Sequence, residues 1–203
     1  MKRIITIQHT QSIHHTNGMV GSWTDWELTE LGKEEAKNIG IRLKEELNGE
    51  NYIVYSSDLK RASQTAAIVC SYLGVKPIYD TRLREKNLGI ACGKSAKWYK
   101  ENRRVEENCD VKPFDDAESR REAYERIKSF YDMIVNSSDE NIIVVSHGGI
   151  LSLFNLVHLG MKPEDTDYVI IHGRSGGVSF MRITDDNKHF MDKMSDMSYK
   201  SDI

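Results

Sequence analysis

Short apolar runs rich in β-branched residues alternate along this chain with segments whose apolar residues recur at helical spacing. This alternation limits the possible folds more than any other feature. The runs RIITI at 3–7 and NIIVVS at 141–146 show no alternation with polar residues, which is typical of strands buried on both faces. The segment LTELGKEEAKNIGIRLKEEL at 28–47 predicts a helix, with Thr29 as its N-cap. Strands that alternate with helices indicate a mainly parallel sheet covered on both faces.

The same rhythm continues through most of the chain. A strand at 52–57 precedes a predicted helix from about Asp58 to Leu73, which ends at Gly74. The later predicted elements are a strand at 76–80, a helix at 116–135, a helix at 148–160 and a strand at 177–184. We therefore expect one α/β domain over residues 1–184, built as a three-layer α/β/α sandwich. The polar tail, 185–203, is expected to be frayed, and the alternative is a tail docked on the body of the domain.

Composition and charge exclude several classes of function. The net charge of −3 and the pI of about 6.2 give no overall positive field for nucleic acid, so any anion site must be local. The longest apolar runs are too short to span a bilayer, and the N-terminus shows no signal-peptide cleavage site. A cytoplasmic location without a membrane partner is therefore expected. The three cysteines share no CxxC spacing, so reduced thiols are expected.

Residues that can bind an anion follow three of the predicted strands. His9 follows the first strand, and Arg61 lies in the first turn of the helix after the second. His147 follows the strand at 141–146 and precedes two glycines that open a helix. Ligands of parallel α/β sheets bind at the carboxyl ends of the strands, where free backbone N–H groups and a guanidinium form a phosphate or carboxylate site. Together these residues predict an anion pocket that contains two imidazoles.

Such a pocket suits phosphoryl transfer, because one imidazole can attack phosphorus while N–H groups and positive charge bind the other oxygens. Glu85 follows the third strand and is a candidate proton donor for the leaving oxygen. Each residue also has a structural interpretation when taken alone. Arg61 would then be exposed and paired with Asp58, and Glu85 would be a surface residue paired with Arg82 or Arg84. Either histidine would then be a turn residue satisfied by hydrogen bonds.

A metal centre is the rival interpretation of the histidines. His9, His14, His15 and His147 are four potential imidazole ligands. No HExxH or HxH pattern accompanies them. Neither a metal nor another cofactor is therefore expected.

In order along the chain, the motifs resemble those of the histidine phosphatase superfamily, the phosphoglycerate mutase-like proteins. QHTQS at 8–12 corresponds to the Arg-His-Gly-Glu-Thr/Ser signature of that family. The other matching blocks are GSWTDWELTELGKEEA at 21–36, SSDLKRASQTA at 56–66, LREKNLG at 83–89, DAESRREAYERI at 116–127 and VVSHGGI at 144–150. The resemblance covers about residues 1–183 and implies a phosphoglycerate mutase-like fold.

The resemblance also implies a reaction. His9 is the expected nucleophile that becomes phosphohistidine, and Glu85 is the expected proton donor in metal-independent hydrolysis of a phosphomonoester. Arg61 and His147 are expected to act in catalysis and to bind the phosphoryl group. Further expected substrate or phosphate contacts are Gln8, Ser12, His15, Ser22 and Gly148. The expected partner is a small phosphorylated substrate, and the sequence predicts no particular oligomeric state.

Several features depart from the family pattern or separate its branches. Thr10 and Gln11 replace the commoner glycine and glutamate. About sixty residues separate Glu85 from His147, fewer than in the insertion-bearing phosphoglycerate mutases, so the resemblance favours a phosphatase over a mutase. The segment 94–113 is expected to form a lid over the pocket. Its regularly spaced cations, Lys94, Lys97, Lys100 and Arg103, form either a stripe over an anionic substrate or a solvated helix face.

Gln8 is the most consequential departure, because the family has an arginine at this position. A charge-assisted bond from arginine to phosphate contributes roughly 1.5–3 kcal/mol, and glutamine supplies only a neutral amide donor. We expect activity to be roughly 10- to 1,000-fold lower than with arginine, since about 1.4 kcal/mol corresponds to a factor of ten. The alternatives to a weakened phosphatase are a pseudoenzyme that binds a phosphate compound and a phosphoglycerate mutase.

Overall fold

Six strands form one mixed sheet in the computed structural model, which describes residues 1–201. In chain order the strands are β1 (Lys2–Gln8), β2 (Ile53–Ser56), β3 (Ile78–Tyr79), β4 (Asn141–Ser146), β5 (Val178–Ile183) and β6 (His189–Asp196). Their order across the sheet is β3-β2-β4-β1-β5-β6. Strands β1 to β4 are mutually parallel, whereas β5 is antiparallel to β1 and to β6.

The α-helices follow in chain order as α1 (His14–Asn17), α2 (Glu30–Leu47), α3 (Lys60–Leu73), α4 (Ala96–Asn102), α5 (Arg120–Asn136) and α6 (Gly148–His158). Two predicted helix boundaries are confirmed. The Thr29 side chain accepts a hydrogen bond from the Gly32 N–H at the start of α2. Helix α3 ends at Gly74, whose φ of +74° lies in the left-handed region that glycine adopts without strain.

Helices cover both faces of the sheet, and each face has its own apolar core. Helices α5 and α6 pack on one face, where Phe130 and Phe154 lie in the same cluster as Ile142. Helices α2 and α3 pack on the other, where Ile39 lies with Ile143. Successive residues of β4 therefore enter opposite cores, which explains the absence of polar alternation in this strand. The predicted three-layer α/β/α sandwich is confirmed.

The expectation of a frayed tail after residue 184 is wrong. Residues 189–196 form the edge strand β6 on β5, and the buried Tyr199 packs in the same core as α2 and α3. The Lys200 ammonium lies 2.6 Å from a carboxylate oxygen of Glu35 in α2. An edge strand can leave much of its surface in water, so its composition lacks the apolar run that identifies the central strands.

The structure bears on the expected state of the cysteines and on the expected lack of a membrane-spanning segment. Cys70, Cys92 and Cys109 are all free thiols. Within residues 1–201, no helix combines the length and the apolar character that crossing a bilayer requires.

Candidate active site

The candidate site lies at the carboxyl ends of three adjacent parallel strands. Strand β4 lies between β1 and β2, and Gln8 and Ser146 are partners at the ends of β1 and β4. The residues that follow these strands, His9, Ser57 and His147, therefore meet at one edge of the sheet. The sequence predicted this convergence for the two histidines, and the structure confirms it with a distance of 5.1 Å between their ring centroids.

The tautomer of His9 is fixed by its own loop. Nδ1 lies 2.9 Å from the carbonyl oxygen of Thr10, which can only accept, so Nδ1 carries the proton. The lone pair of Nε2 then accepts a hydrogen bond of 3.2 Å from Nε of Arg61. Burial of the ring, followed by the positive charge of Arg61, holds the pKa of His9 well below 6.5. His9 is thus a neutral imidazole with the lone pair of Nε2 facing a guanidinium.

Arg61 is buried and held by backbone carbonyls. Its Nη1 donates to the Thr24 carbonyl and its Nη2 to the Ser22 carbonyl, each at 2.8 Å. Burial lowers its pKa to about 10, so the guanidinium remains charged at neutral pH. The alternative interpretation of an exposed arginine paired with Asp58 is wrong, because Arg61 is 1% exposed and Asp58 binds Arg84 instead. A buried guanidinium beside a neutral imidazole favours an anion at that point.

His147 brings a second nitrogen to the site. Its Nε2 lies 2.8 Å from Oγ of Ser57, and burial together with the charge of Arg61 holds its pKa well below 6.5. Its Nδ1 is buried and has no hydrogen-bond partner among residues 1–201. When the Ser57 hydroxyl donates to Nε2, Nδ1 carries a proton that a phosphoryl oxygen can accept. Ser57 was not predicted as a site residue, although its position directly after β2 is the signal that identifies it.

Glu85 lies against the N-terminus of α6. One carboxylate oxygen accepts from the Gly149 N–H at 3.1 Å, and the other accepts from the Ile150 N–H at 3.2 Å and the Lys86 N–H at 2.8 Å. A side chain at Gly149 would place its Cβ 2.5 Å from the carboxylate, so this approach requires glycine. The predicted alternative of a surface ion pair is wrong, since the two neighbouring arginines bind aspartates.

Gln8 occupies the last position of β1 and contributes no charge. Its Oε1 is buried without a hydrogen-bond partner among the described residues. Its Nε2 lies 3.0 Å from the position that a Cβ at residue 148 would occupy, so Gly148 allows the amide to approach the start of α6 closely. The structure therefore places both residues beside the anion pocket, with one unsatisfied acceptor there.

The loop after His9 adds two more imidazoles. The Ser12 N–H donates to Nδ1 of His15 at 3.2 Å, so Nε2 of neutral His15 carries the proton and can donate to a ligand. The His15 ring stacks on His9 with a centroid distance of 5.4 Å. Oγ of Ser12 lies 2.5 Å from Nδ1 of His14, and burial lowers the pKa of His14 to about 3. The sequence indicates His14 only as a potential metal ligand, but its ring centroid lies 5.7 Å from that of His9.

Ser22 acts on the site through its neighbours. Its φ of +46° lies in the left-handed region, and its carbonyl accepts from Arg61. Its hydroxyl donates to the Lys86 carbonyl and accepts from the Leu88 N–H, each at 2.8 Å. The Cys92 thiol is its third partner, at 3.3 Å. Through its carbonyl and its hydroxyl, Ser22 therefore links Arg61 to the segment after Glu85.

Three of these histidines also form the arrangement that a metal ion could use. His9, His14 and His15 each offer one ligand atom, and these atoms lie within 4.8 Å of one another. The guanidinium of Arg61, however, lies 3.2 Å from the Nε2 atom that His9 would offer. A cation there would meet a fixed like charge, so the arrangement suits an anion better.

The expected lid contains α4, whose N-cap is Ser95. Trp98 of this helix stacks on Phe114 with a centroid distance of 5.6 Å. The Lys97 side chain is 84% exposed, and its ammonium pairs with Glu101 within the helix. Of the two interpretations of the regularly spaced cations, the solvated helix face fits this geometry better.

The sequence is similar to those of known proteins over most of its length. A family model described as the histidine phosphatase superfamily (branch 1) matches residues 4–194. The chain is 32% identical over 175 residues to the Hydrogenobacter thermophilus protein named "Putative phosphoserine phosphatase 2", with 81% of this chain and 82% of that protein covered. It is 30% identical over 176 residues to a 2,3-bisphosphoglycerate-dependent phosphoglycerate mutase of Brucella anthropi, with coverage of 80% and 84%.

Solved structures show the same architecture. Bacillus stearothermophilus YhfR matches with a TM-score of 0.83 at 19% identity, covering 99% of this chain and 100% of that one. A mycobacterial glucosyl-3-phosphoglycerate phosphatase matches with a TM-score of 0.82 at 20% identity, covering 97% and 100%. These similarities confirm the expected phosphoglycerate mutase-like fold.

Proposed function

The chain belongs to the histidine phosphatase superfamily, and from this membership we propose that it hydrolyses phosphomonoesters through a phosphohistidine intermediate. The observation that carries the proposal is the state of His9. Its Nδ1 proton is held by the Thr10 carbonyl, and its neutral Nε2 faces the buried guanidinium of Arg61. A neutral nucleophile whose lone pair lies beside a fixed positive charge is what attack on an anionic phosphoryl group requires.

In the first step, Nε2 of His9 attacks phosphorus and the bond from phosphorus to the ester oxygen breaks. Glu85 in its acid form gives its proton to the leaving alcohol oxygen. The Glu85 carboxylate that remains accepts hydrogen bonds from the N–H groups of Gly149 and Ile150. This step produces the free alcohol and a phosphohistidine at residue 9.

In the second step, a water molecule attacks phosphorus and the bond from phosphorus to Nε2 breaks. Glu85, now a carboxylate, takes the proton of the attacking water. Inorganic phosphate leaves, and both His9 and Glu85 return to their starting states. No metal ion takes part in either step.

Donors around the nucleophile stabilise the phosphoryl oxygens during both steps. Arg61 supplies the positive charge, while Nδ1 of His147 and Nε2 of His15 supply N–H groups. The unpartnered state of Nδ1 of His147 supports this assignment, because a buried donor without a partner gains a hydrogen bond when the anion binds. The backbone of Ser12 and of Gly148 forms part of the surroundings of the bound phosphoryl group.

A pseudoenzyme that binds a phosphate compound is the second candidate, and Gln8 is the observation that favours it. The amide supplies no charge where the family has an arginine, and its Oε1 has no partner among the described residues. On this alternative the pocket binds phosphate compounds but turns them over poorly or not at all.

The candidates separate in one assay. The chain and its Gln8→Arg variant are incubated with a panel of phosphomonoesters that includes phosphoserine and 3-phosphoglycerate, and released phosphate is measured. A hydrolase releases phosphate in both forms, whereas a mutase moves phosphate within the phosphoglycerate without releasing it. Binding of the panel without turnover by either form would establish the pseudoenzyme and contradict the hydrolase.

A further inference from the structure

A cavity of about 520 Å³ opens beside the candidate site, on the side of Gln8 and the start of α6. Gly148 and Gly149 form part of its wall, and the N–H of Gly149 is the group that holds the Glu85 carboxylate. The leaving alcohol must lie near Glu85, so this cavity is placed to receive it. The inference below therefore rests on the proposed function. A second cavity, of about 620 Å³, lies at the opposite edge of the sheet and contains none of the site residues.

One wall of the cavity is apolar. It is formed by Leu153 and Leu156 of α6 and by Val169 and Ile170 of the following segment. The two leucines are buried, while Ile170 is 75% exposed at the surface. An exposed isoleucine beside a cavity gains most from an apolar ligand, because contact removes its surface from water.

Lys86, Glu106 and Arg120 also line the cavity, and both cations are already paired with carboxylates. Lys86 forms an ion pair with Glu106, with side chains 16% and 11% exposed. Arg120 forms an ion pair of 2.7 Å with Asp167, with side chains 27% and 17% exposed. Each of these two cations thus already has a carboxylate partner, and the Glu85 carboxyl group is nearby. If the leaving alcohol carries its own anionic group, that group would meet no uncompensated lysine or arginine among the described residues that line this cavity.

Two buried polar atoms of residues that line the cavity have no partner among residues 1–201. They are Oε1 of Gln8, which can accept a hydrogen bond, and Nε of Arg120, which can donate one. Buried polar atoms without partners are uncommon, and a ligand group that reaches such an atom gains affinity from it. A hydroxyl or an amide satisfies such atoms without adding charge.

We propose that this cavity selects phosphomonoesters of uncharged, partly apolar alcohols, and that Glu106 and Asp167 exclude esters whose leaving group carries a second anion. Both carboxylates hold cations that would otherwise bind such a group. Glu106 itself lines the cavity, so it also lies close to any anion that enters. The apolar wall binds the body of the alcohol. This substrate class differs from phosphoglycerates, whose carboxylate is a second anion.

The test compares phenyl phosphate with 3-phosphoglycerate as substrates, and benzylphosphonate with 2-carboxyethylphosphonate as unreactive ligands. We expect the native chain to favour the uncharged member of each pair by about tenfold or more, in kcat/KM and in Kd respectively. Glu106→Gln frees Lys86 and should reduce each ratio by about tenfold. Glu107→Gln changes the net charge by the same amount, but Glu107 is exposed and does not line the cavity. This control should therefore preserve the ratios. Ratios within one variant cancel differences in overall activity.

The outcomes separate this inference from the proposed function. Absence of turnover with the phosphonate preference intact would overturn the hydrolase and support the cavity assignment. Tighter binding or faster turnover by the native chain of the compound that carries a carboxylate, in either pair, would overturn the cavity assignment. This holds at any overall rate of hydrolysis. Equal shifts of the ratios by Glu106→Gln and Glu107→Gln would also overturn it.

Discussion

Nε2 of His9 accepts a hydrogen bond of 3.2 Å from Nε of Arg61, and both side chains are almost completely buried. The guanidinium is held from behind by two backbone carbonyls, so it does not depend on His9 for its position. A phosphoryl group bound at this point would contact the nucleophile and the positive charge together. In the proposed mechanism, these two residues define where phosphoryl transfer takes place.

The planar guanidinium geometry of Arg61, and not only its positive charge, should be essential for turnover. Arg61→Lys keeps a cation but cannot bond to the two carbonyls and the phosphoryl group at once. We expect kcat/KM to fall roughly 100- to 1,000-fold, since each charge-assisted bond contributes roughly 1.5–3 kcal/mol. Steady-state kinetics measures this. Arg182→Lys, in a surface ion pair on β5, is the matched control and should change kcat/KM by less than about threefold.

Restoring the family's arginine should raise activity. We expect Gln8→Arg to increase turnover by roughly 10- to 1,000-fold, because a charged donor replaces a neutral amide at the edge of the pocket. Asn51→Arg adds the same charge at the opposite edge of the sheet and serves as the control. An unchanged or lower rate for Gln8→Arg would show that this site is adapted to glutamine.

The site residues found from sequence alone share one property. His9, Arg61 and His147 follow predicted strands, and the order of parallel strands brings such positions together whatever the details of packing. Side-chain partners carry no comparable signal. The bond between His147 and Ser57 depends on the adjacency of β4 and β2, which the sequence does not encode locally.

The elements that the sequence missed are short, exposed or polar. Strand β6 lies at an edge and was expected to be frayed, and helix α1, which was not predicted, contains no buried residue. Without a buried face they show no apolar periodicity. The central strands and the long helices were predicted because each must fill a core on at least one side.

Stability should decrease in mild acid because of the buried histidines. Burial and the charge of Arg61 hold the pKa values of His9 and His147 well below 6.5. Below pH 6.5 the unfolded chain binds protons at these residues and the folded chain does not. The free energy of unfolding should therefore fall by about 1.4 kcal/mol per pH unit for each histidine as the pH decreases, and these residues should add no pH dependence above about 7.

Urea denaturation between pH 6.5 and 5 measures this slope. His147→Asn removes one of the two groups, so its slope should be smaller by about 1.4 kcal/mol per pH unit. An identical slope for the variant and the native chain would show that His147 is protonated in the folded state.

The C-terminal segment should stabilise the nucleophile loop through Glu35. One carboxylate oxygen of Glu35 binds the Lys200 ammonium at 2.6 Å, and the other accepts from the Gln11 N–H at 2.9 Å. Lys200→Met leaves the buried carboxylate without its cation, and we expect the free energy of unfolding to fall by about 1–3 kcal/mol.

The matched control is Lys188→Met in the same segment. Lys188 is 70% exposed in its ion pair with Asp186, so its replacement should change the free energy of unfolding by less than about 1 kcal/mol. Equal effects of the two substitutions in urea denaturation would exclude a structural role for the Lys200 pair.

The most direct test of the account is the identity of the phosphorylated residue. The chain is incubated with a phosphomonoester that has a good leaving group, quenched in base and mapped by mass spectrometry, with Glu85→Gln used to slow hydrolysis of the intermediate. In the proposed mechanism, phosphate is found on His9 of the native chain and is absent from His9→Gln, which should be inactive. Phosphate on another residue, or undiminished turnover by His9→Gln, would contradict it.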